Sequence, residues 1–243
     1  MKLGGSVVVV TGGAKRLGKD MLLALAEAGS SVVIHYHQSR EAAQELVATL
    51  GERAIAVESD LTTTAGIEEL ARQTIGHYGR WDGLVNSASI FERISIEEAD
   101  YQQWEREYAL HARAPFFLSK MLYQHRKEKN YLNSGWVVNI TDTTLRNPLA
   151  SRPIYYTSKG ALEEQTKVLA TTLAPYVRVN AIAPGALLAA SEGDLEYFER
   201  LKERLPLKEL AKREAFVETL LFLATNSSIT GETIVVDAGE HLL

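Results

Sequence analysis

The stretch VVVVTGGAKRLG at residues 7–18 decides the fold of this chain. Four consecutive valines are typical of a short strand that is buried on both faces. Apolar residues then recur at helical spacing over 17–28, and Gly29 marks the predicted helix end. A glycine-rich turn between a strand and a helix lets backbone N–H groups meet a pyrophosphate. The stretch therefore predicts a dinucleotide-binding unit.

The rest of the chain repeats the same strand–helix alternation. Further strands are predicted at 31–35, 54–57, 84–86, 136–140, 177–182 and 233–236, and further helices near 39–50, 64–78, 100–128, 154–173 and 209–223. Such alternation predicts an α/β fold, a single Rossmann-type domain over 1–243 with a doubly wound parallel sheet of about seven strands flanked by helices. The segment 187–208 is predicted to be an irregular insertion that forms a lid over a substrate.

Composition excludes several classes of function. The 243 residues have a formal net charge of -5, which gives no indication of a nucleic-acid surface. Because cysteine is absent, the chain has no disulfide, thiolate nucleophile or thiolate metal site. No apolar run approaches the roughly 18 residues of a membrane span, and the first residues lack a signal-peptide pattern. No metal-ligand spacing is present either. A cytoplasmic protein without nucleic-acid or membrane partners is expected.

Tyr155 and Lys159 form the strongest chemical motif. Residues at i and i+4 share one face of a helix, and an ammonium beside a phenol lowers a pKa that is normally about 10. Tyrosine then becomes a usable proton donor or acceptor. Tyr156 is a rival, because it stands three residues before Lys159. Packing is its predicted role.

With these motifs the sequence resembles the classical short-chain dehydrogenase/reductases, and the pteridine reductase branch in particular, over nearly its whole length. The branch is indicated by Lys15-Arg16-Leu17-Gly18 and by His35-Tyr36-His37-Gln38-Ser39 at the end of strand two. Arg16 stands where the family usually has a glycine. The resemblance implies a small-molecule substrate and a homotetramer.

The cofactor implied is NADPH. In NAD-specific proteins an acidic side chain at the end of strand two binds the ribose 2′-hydroxyl, but 35–40 contains neither Asp nor Glu. Arg16, His37, Ser39 and Arg40 are available for a 2′-phosphate, while Gln38 replaces an arginine common in the branch. The predicted cofactor-binding residues are Gly12, Lys15, Arg16, Leu17, Gly18, Tyr36, His37, Gln38, Ser39, Asp60, Leu61, Asn86, Ser87, Ala88, Thr141, Tyr155, Lys159, Pro184 and Gly185. For Asp60, capping of the next helix is the structural alternative.

Asp142 lies thirteen residues before Tyr155, where most members of the family have a serine. An ionised carboxylate only accepts hydrogen bonds and would repel a developing alkoxide. It suits a substrate with N–H groups, or a C=N bond that is protonated as hydride arrives. Pteridine reductases carry the same aspartate. The predicted catalytic residues are therefore Asp142, Tyr155 and Lys159; a turn-capping role for Asp142 is the alternative.

The resemblance also predicts a substrate site. An aromatic residue at Phe91 stacks on the pterin in this branch, although a lone aromatic is more often core. The predicted substrate-binding residues are Arg16, Ser89, Phe91, Asp142 and Tyr155. In the family that the sequence resembles, an asparagine stands at the position of His111, and its backbone carbonyl takes part in a proton relay. His111 either extends that relay or packs under the site.

Together these features predict an NADPH-dependent reductase that transfers hydride to a pterin or related C=N heterocycle. A carbonyl reductase of the same family, acting on a ketone, quinone or 3-oxoacyl thioester, is the alternative. A non-catalytic NADPH-binding sensor or scaffold is more distant, because the Tyr155–Lys159 pair is intact. The residues leave the identity of the pterin open.

Overall fold

Seven parallel strands form one sheet in the order β3-β2-β1-β4-β5-β6-β7. The computed structural model describes residues 3–133, 135–187 and 193–243. The strands are β1 (Val7–Val10), β2 (Ser31–Tyr36), β3 (Ala54–Glu58), β4 (Gly83–Asn86), β5 (Gly135–Ile140), β6 (Val177–Pro184) and β7 (Thr233–Val236). The helices are α1 (Arg16–Glu27), α2 (Arg40–Leu50), α3 (Thr64–Tyr78), α4 (Tyr101–Tyr108), α5 (Ala114–Glu128), α6 (Pro153–Thr172), α7 (Gly193–Arg204) and α8 (Arg213–Thr225). The predicted doubly wound parallel sheet is confirmed.

All four residues of β1 are valines because helices cover both faces of this strand. Val8 and Val10 pack into a core under α1, α2 and α8. Val7 and Val9 pack into a second core under α3, α5 and α6. Successive side chains of a strand point to opposite faces of the sheet, so a strand covered by helices on both sides needs apolar residues throughout.

The order of strands reverses at β1, which has β2 on one side and β4 on the other. In open α/β sheets ligands bind beyond the carboxyl ends of the strands at such a reversal. Thr11 closes this end of the sheet, since its Oγ1 accepts hydrogen bonds from the N–H groups of Ser87 at 2.9 Å and Ala88 at 3.0 Å. The loops after β1 and β4 are thereby held together.

Two predicted segments differ from the structure. The helix predicted near 100–128 is interrupted by a π-helical turn at Ala109–Arg113 between α4 and α5. Pro115, the second residue of α5, lacks the N–H that a continuous α-helix would use. The segment 187–208, predicted to be irregular, contains α7, while 188–192 lies outside the described residues. Polar residues dominate α7, so its sequence lacks the strong apolar period of the core helices.

Across the described part of the chain, the model contains no helix that combines the length and apolarity needed to cross a bilayer.

Candidate active site

The turn after β1 brings two backbone segments unusually close. Gly12 has φ +65°, in the left-handed region that favours glycine. A Cβ at Gly18 would lie 2.2 Å from the carbonyl oxygen of Gly12. A side chain at either position would therefore fill the cradle or force the turn apart. The geometry fits the backbone approach that a pyrophosphate requires.

Arg16 occupies the left-handed region as well, with φ 52°. A residue with a Cβ costs about 1–2 kcal/mol there, which fits the glycine that is usual at this place in the family that the sequence resembles. Arg16 and Lys15 are exposed beside the cradle, Leu17 is half-buried, and α1 begins at Arg16. The turn thus presents two cations where the phosphates of a dinucleotide would lie.

His35 supports this turn from below, a role that the sequence did not indicate. Its Nδ1 accepts a hydrogen bond from the Gly12 N–H at 3.1 Å, and Nε2 lies 3.0 Å from the Ser59 carbonyl oxygen. The ring is therefore neutral and carries its proton on Nε2. Burial lowers the pKa of His35 to about 4, which keeps this form at neutral pH.

The segment at the end of β2, where the cofactor ribose is expected, contains no Asp or Glu at 35–40. His37 and Gln38 are exposed, and Ser39 precedes α2 without capping it. The Tyr36 hydroxyl donates to Glu58 at 3.2 Å, and Arg40 forms an ion pair with the same carboxylate. Glu58, at the end of β3, therefore engages the arginine that the sequence offered for a 2′-phosphate.

Asp60 does not cap the helix that follows it. Its Oδ1 accepts from the Thr62 N–H at 2.9 Å, and α3 is instead capped by Thr63, whose hydroxyl accepts from the Gly66 N–H. Leu61 is buried. Asp60 thus shapes the loop after β3, at the same edge of the sheet as the glycine turn.

The predicted segment after β4 divides into a buried and an accessible part. Asn86 turns its amide into the sheet and donates to Asn139 at 2.8 Å, and Asn139 donates to Thr166 on α6. Ser87 and Ala88 are half-buried beside the glycine turn. The Asn86 side chain therefore links β4 and β5 to α6, and the next two residues lie against the glycine turn.

The three predicted catalytic residues come together. Tyr155 Oη donates to Asp142 Oδ2 at 2.7 Å, and Asp142 Oδ1 accepts from the Thr144 N–H at 2.8 Å. Lys159 is buried and donates from Nζ to the Ile140 carbonyl oxygen at 2.7 Å, with Nζ 5.9 Å from the centre of the Tyr155 ring. Asp142 therefore has both a fixed orientation and a fixed partner.

The electrostatics differ from the expectation that Lys159 lowers the pKa of Tyr155. Burial and the adjacent Asp142 carboxylate raise the pKa of Tyr155 well above its ordinary value. Burial lowers the pKa of Lys159 to about 8, against the attraction of Asp142. The carboxylate is hydrogen-bonded to the phenol and the ammonium is not, so the anion dominates. Tyr155 is a protonated donor in this arrangement.

Phe91 and His111 enclose Tyr155 from the β4 side. The rings of Phe91 and Tyr155 meet edge to face with centroids 4.8 Å apart, and the Phe91 side chain is half exposed. His111 Nε2 accepts from the Ile90 N–H at 3.1 Å and lies 3.1 Å from the Ser89 hydroxyl. Its Nδ1, which therefore carries the proton, donates to Ser158 at 2.8 Å. His111 fastens the Phe91 loop to α6.

The remaining predicted residues lie at the ends of β5 and β6. Thr141 is buried and its N–H donates to the Ile182 carbonyl oxygen at 2.9 Å. The Gly185 N–H donates to the Val236 carbonyl oxygen at 3.0 Å, and a Cβ at Gly185 would lie 2.6 Å from that of Asp237. Pro184 and Gly185 thus pass close to the C-terminal segment beside Asp142.

The sequence missed two charged groups beside this centre. Arg152 places its guanidinium carbon 3.8 Å from the centre of the Phe91 ring. Glu240, near the C-terminus, accepts from the Ala186 N–H at 3.0 Å, and Asp142 raises its pKa after the larger effect of burial. Glu240 reaches the site only through the tertiary fold, and Arg152, although it directly precedes α6, meets Phe91 only through that fold. Among the described residues no group of three or more His, Cys, Asp or Glu side chains could hold a metal ion.

The chain is similar to known proteins both in sequence and in structure. A family model described as enoyl-(acyl carrier protein) reductase matches residues 12–241. The chain is 31% identical to a 3-oxoacyl-[acyl-carrier-protein] reductase of Synechocystis sp., over 98% of this chain and 97% of that protein. It is 30% identical to an oxidoreductase of Thermotoga maritima, with 98% of both chains covered. The structure of FolM Alternative dihydrofolate reductase 1 from Brucella canis, complexed with NADP, superimposes with a TM-score of 0.92 at 33% identity, covering 100% of this chain and 96% of that one.

The family model covers nearly the whole chain, from the glycine turn to the last helical turn, and the relatives align over the same length. The cradle at Gly12 and Gly18 and the Tyr155–Lys159 pair lie within it. The chain therefore belongs to the short-chain dehydrogenase/reductase family of oxidoreductases.

Proposed function

We propose that this protein is an NADPH-dependent reductase that transfers hydride to a pterin or related C=N heterocycle, of the dihydropteridine or dihydrofolate type. The observation that carries the proposal is the hydrogen bond from Tyr155 Oη to Asp142 Oδ2 at 2.7 Å. A carboxylate stands against the proton donor of the site, where a ketone reductase would place a neutral hydroxyl.

Asp142 favours nitrogen over oxygen in the substrate. Its carboxylate can only accept hydrogen bonds, so it attracts N–H groups and repels an alkoxide that forms beside it. Thr144 holds Oδ1 through both its N–H and its hydroxyl, which leaves Oδ2 directed at Tyr155 and the substrate position. A heterocycle with N–H donors satisfies this carboxylate, and a simple ketone does not.

Residues of the chain account for the proton in the reaction. NADPH, when bound, supplies the hydride that reduces the carbon of the C=N bond. Tyr155 gives its hydroxyl proton to the adjacent nitrogen, so that C=N becomes CH–NH. Loss of this proton leaves a phenolate on Tyr155. The Lys159 ammonium, whose Nζ lies 5.9 Å from the centre of the Tyr155 ring, stabilises the phenolate until solvent returns a proton.

The cofactor residues proposed are those of the glycine turn and of the loops after β2, β3 and β4. Lys15 and Arg16 supply positive charge, and 35–40 contains no acid that would repel a 2′-phosphate. The NADP complex of the Brucella canis FolM protein, and a second from Brucella suis, support this assignment. The name of those proteins supports the dihydrofolate-type substrate.

Reduction of a carbonyl compound, such as a 3-oxoacyl thioester, is the second candidate. It is favoured by the similarity to the Synechocystis reductase of that name, at nearly the same identity as the FolM protein. Asp142 argues against it for the reason given above. A non-catalytic NADPH-binding role is a third, which the intact Tyr155 and Lys159 disfavour.

Oxidation of NADPH followed at 340 nm (the absorbance of the reduced nicotinamide) tests the proposal. Dihydrobiopterin, dihydrofolate and folate are compared with a panel of small ketones and a 3-oxoacyl thioester. Turnover restricted to pterins supports the proposal, whereas turnover of only the carbonyl compounds replaces it with the second candidate. Tight NADPH binding without turnover of any compound favours the third.

We also propose that the protein assembles as a homotetramer. Aromatic side chains remain partly exposed on α4 and α5, namely those of Trp104, Phe116 and Phe117. Exposed aromatic residues grouped on two consecutive helices support an association surface there. Analytical ultracentrifugation checks the assembly, and a monomer at micromolar concentration would contradict it.

A further inference from the structure

Arg152 is buried beside Phe91 in the candidate active site, and its side chain has no counter-ion among the described residues. It immediately precedes α6, three residues before Tyr155, and its side chain does not cap the helix. Only 8% of the residue is exposed. Within the described ranges it has no hydrogen bond or ion pair from its side chain, and its Nε is buried without a partner.

The two other buried arginines behave differently. Arg126 donates to the Asp82 carboxylate at 2.7 Å and to backbone carbonyls, and Arg178 donates to the carbonyl oxygens of Leu223, Ala224 and Ile229. Each therefore has acceptors within the protein for its terminal N–H groups, although among the described residues the Arg178 Nε has no partner, like that of Arg152. Among the described residues Arg152 has no such acceptor, so its N–H groups are available to an acceptor that a ligand brings.

The contact with Phe91 does not supply that acceptor. The guanidinium carbon lies 3.8 Å from the ring centre, a cation–π arrangement worth about 0.5–2 kcal/mol. It leaves the N–H groups at the edge of the guanidinium plane unused. The contact instead fixes the orientation of the arginine and closes one face of Phe91, so a stacked substrate ring would use the other face.

The charge of Arg152 reaches the reacting centre. It opposes the larger effects of burial and of Asp142 on the pKa of Tyr155, and it opposes the effect of burial on Tyr197 of α7. The guanidinium therefore lies within electrostatic range of Tyr155 on α6 and of Tyr197 on α7, beside the Phe91 ring. Asp142 is hydrogen-bonded to the same Tyr155 on which this charge acts, so a ligand beside Tyr155 has both an acceptor and a cation in the site.

We infer that Arg152 binds a carboxylate of the substrate, so that the natural substrate is a carboxylate-bearing pteridine. This inference rests on the proposed function, whose site it completes. A carboxylate neutralises the full charge and matches the planar fork of N–H groups with two parallel hydrogen bonds. A ring carbonyl would leave the charge of the guanidinium without compensation.

Binding to the protein saturated with NADP+ tests the inference without requiring turnover. Isothermal titration gives the Kd of folate, which carries carboxylates, and of biopterin, which carries none. Arg152→Met should weaken folate about 10- to 100-fold and biopterin less than about twofold, the size of a charge-assisted pair. Arg152→Lys should recover part of the loss because it keeps the charge without the fork.

Arg146→Met is the matched control, since Arg146 lies nearby but pairs with Glu163 at 3.2 Å. It should change neither Kd. Equal losses for both ligands in Arg152→Met would assign a structural role through Phe91 and overturn the inference, as would unchanged folate binding or no binding of folate to the original protein. In steady-state assays the loss for dihydrofolate should appear in KM and not in kcat. If the protein reduces no pterin but Arg152→Met still weakens folate more than biopterin, the proposed reaction is rejected and the role of Arg152 in binding is retained.

Discussion

Tyr155 donates its phenolic hydrogen to Asp142, and the two oxygens lie 2.7 Å apart. The carboxylate raises the pKa of the phenol, after the larger effect of burial, and thus keeps the proton on Tyr155. Lys159 lies farther from the phenol and donates to the Ile140 carbonyl oxygen. Tyr155 is therefore a protonated donor, and its hydrogen-bond partner is the Asp142 carboxylate.

Replacement of Tyr155 by phenylalanine should remove this donor. Because positioned acids contribute about 10²- to 10⁴-fold, kcat for dihydropteridines should fall by that factor. The Kd of NADPH, measured by fluorescence titration, should stay within about twofold, since the cradle of backbone groups is untouched. Tyr156→Phe is the control at the neighbouring position, and full activity in Tyr155→Phe would refute the assignment.

Asp142→Ser should change the preference of the site. The serine hydroxyl donates to an oxygen and no longer attracts N–H groups, so kcat/KM for pterins should fall by about tenfold or more, and reduction of small ketones should become measurable. Initial rates with the two substrate classes give the ratio. Asp142→Asn is the control, because it retains an acceptor for Thr144 without the charge. Unchanged pterin kinetics in both variants would leave Asp142 as a turn-capping residue.

The activity should decline as the pH rises through about 8. Burial lowers the pKa of Lys159 to about 8, so the ammonium is present below this pH and is lost above it. The phenolate left on Tyr155 then has no cation beside it, and kcat should fall. A rate profile from pH 6 to 10 with saturating substrates measures this limb. A profile flat to pH 10 would show that the lysine charge does not assist the reaction.

Acid should destabilise the fold through His35. Its pKa is about 4 in the folded protein against 6.5 for the free side chain, so the unfolded chain binds the proton more tightly. Stability is therefore complete above pH 6.5 and decreases as the pH falls to about 4, by about 3 kcal/mol from this residue. Urea unfolding across this range measures the slope.

The variant His35→Gln provides the comparison for that slope, since glutamine retains hydrogen-bonding groups and does not titrate. Between pH 6.5 and 4 its unfolding free energy should vary less than that of the original protein by about the same amount. Parallel curves for the two proteins would show that other groups cause the acid sensitivity.

The preference for NADPH over NADH should increase in Gln38→Arg. Gln38 is exposed at the end of β2, and a cation there adds a charge-assisted contact to a 2′-phosphate. Solvent exposure limits the gain to about 3- to 10-fold in the ratio of kcat/KM values. Gln44→Arg, on the exposed side of α2, serves as the charge control. An equal change in the control would indicate long-range attraction only.

Most of the architecture follows from local patterns in the sequence. The four valines of β1 and the helical spacing after Gly18 indicate elements whose type depends on neighbouring residues, and a doubly wound parallel sheet follows from their alternation. The Tyr155–Lys159 pair is equally local, because both residues lie on one helix. The interruption of the helix near 100–128 was missed because the apolar period continues across it.

Only the tertiary structure decided the electrostatics of the site. Three contacts join segments that are separate in the sequence. They are the hydrogen bond between His35 and Gly12, the hydrogen bond between Tyr155 and Asp142, and the contact of Arg152 with the Phe91 ring. A charged residue such as Arg152 has no sequence signal for burial, since most arginines are exposed. The sequence determined which elements form and which chemical groups they carry. The meeting of the loops at the carboxyl ends of β1, β4 and β5 determined which charges stand next to each other, because side-chain pKa values depend on neighbours in space and not in sequence.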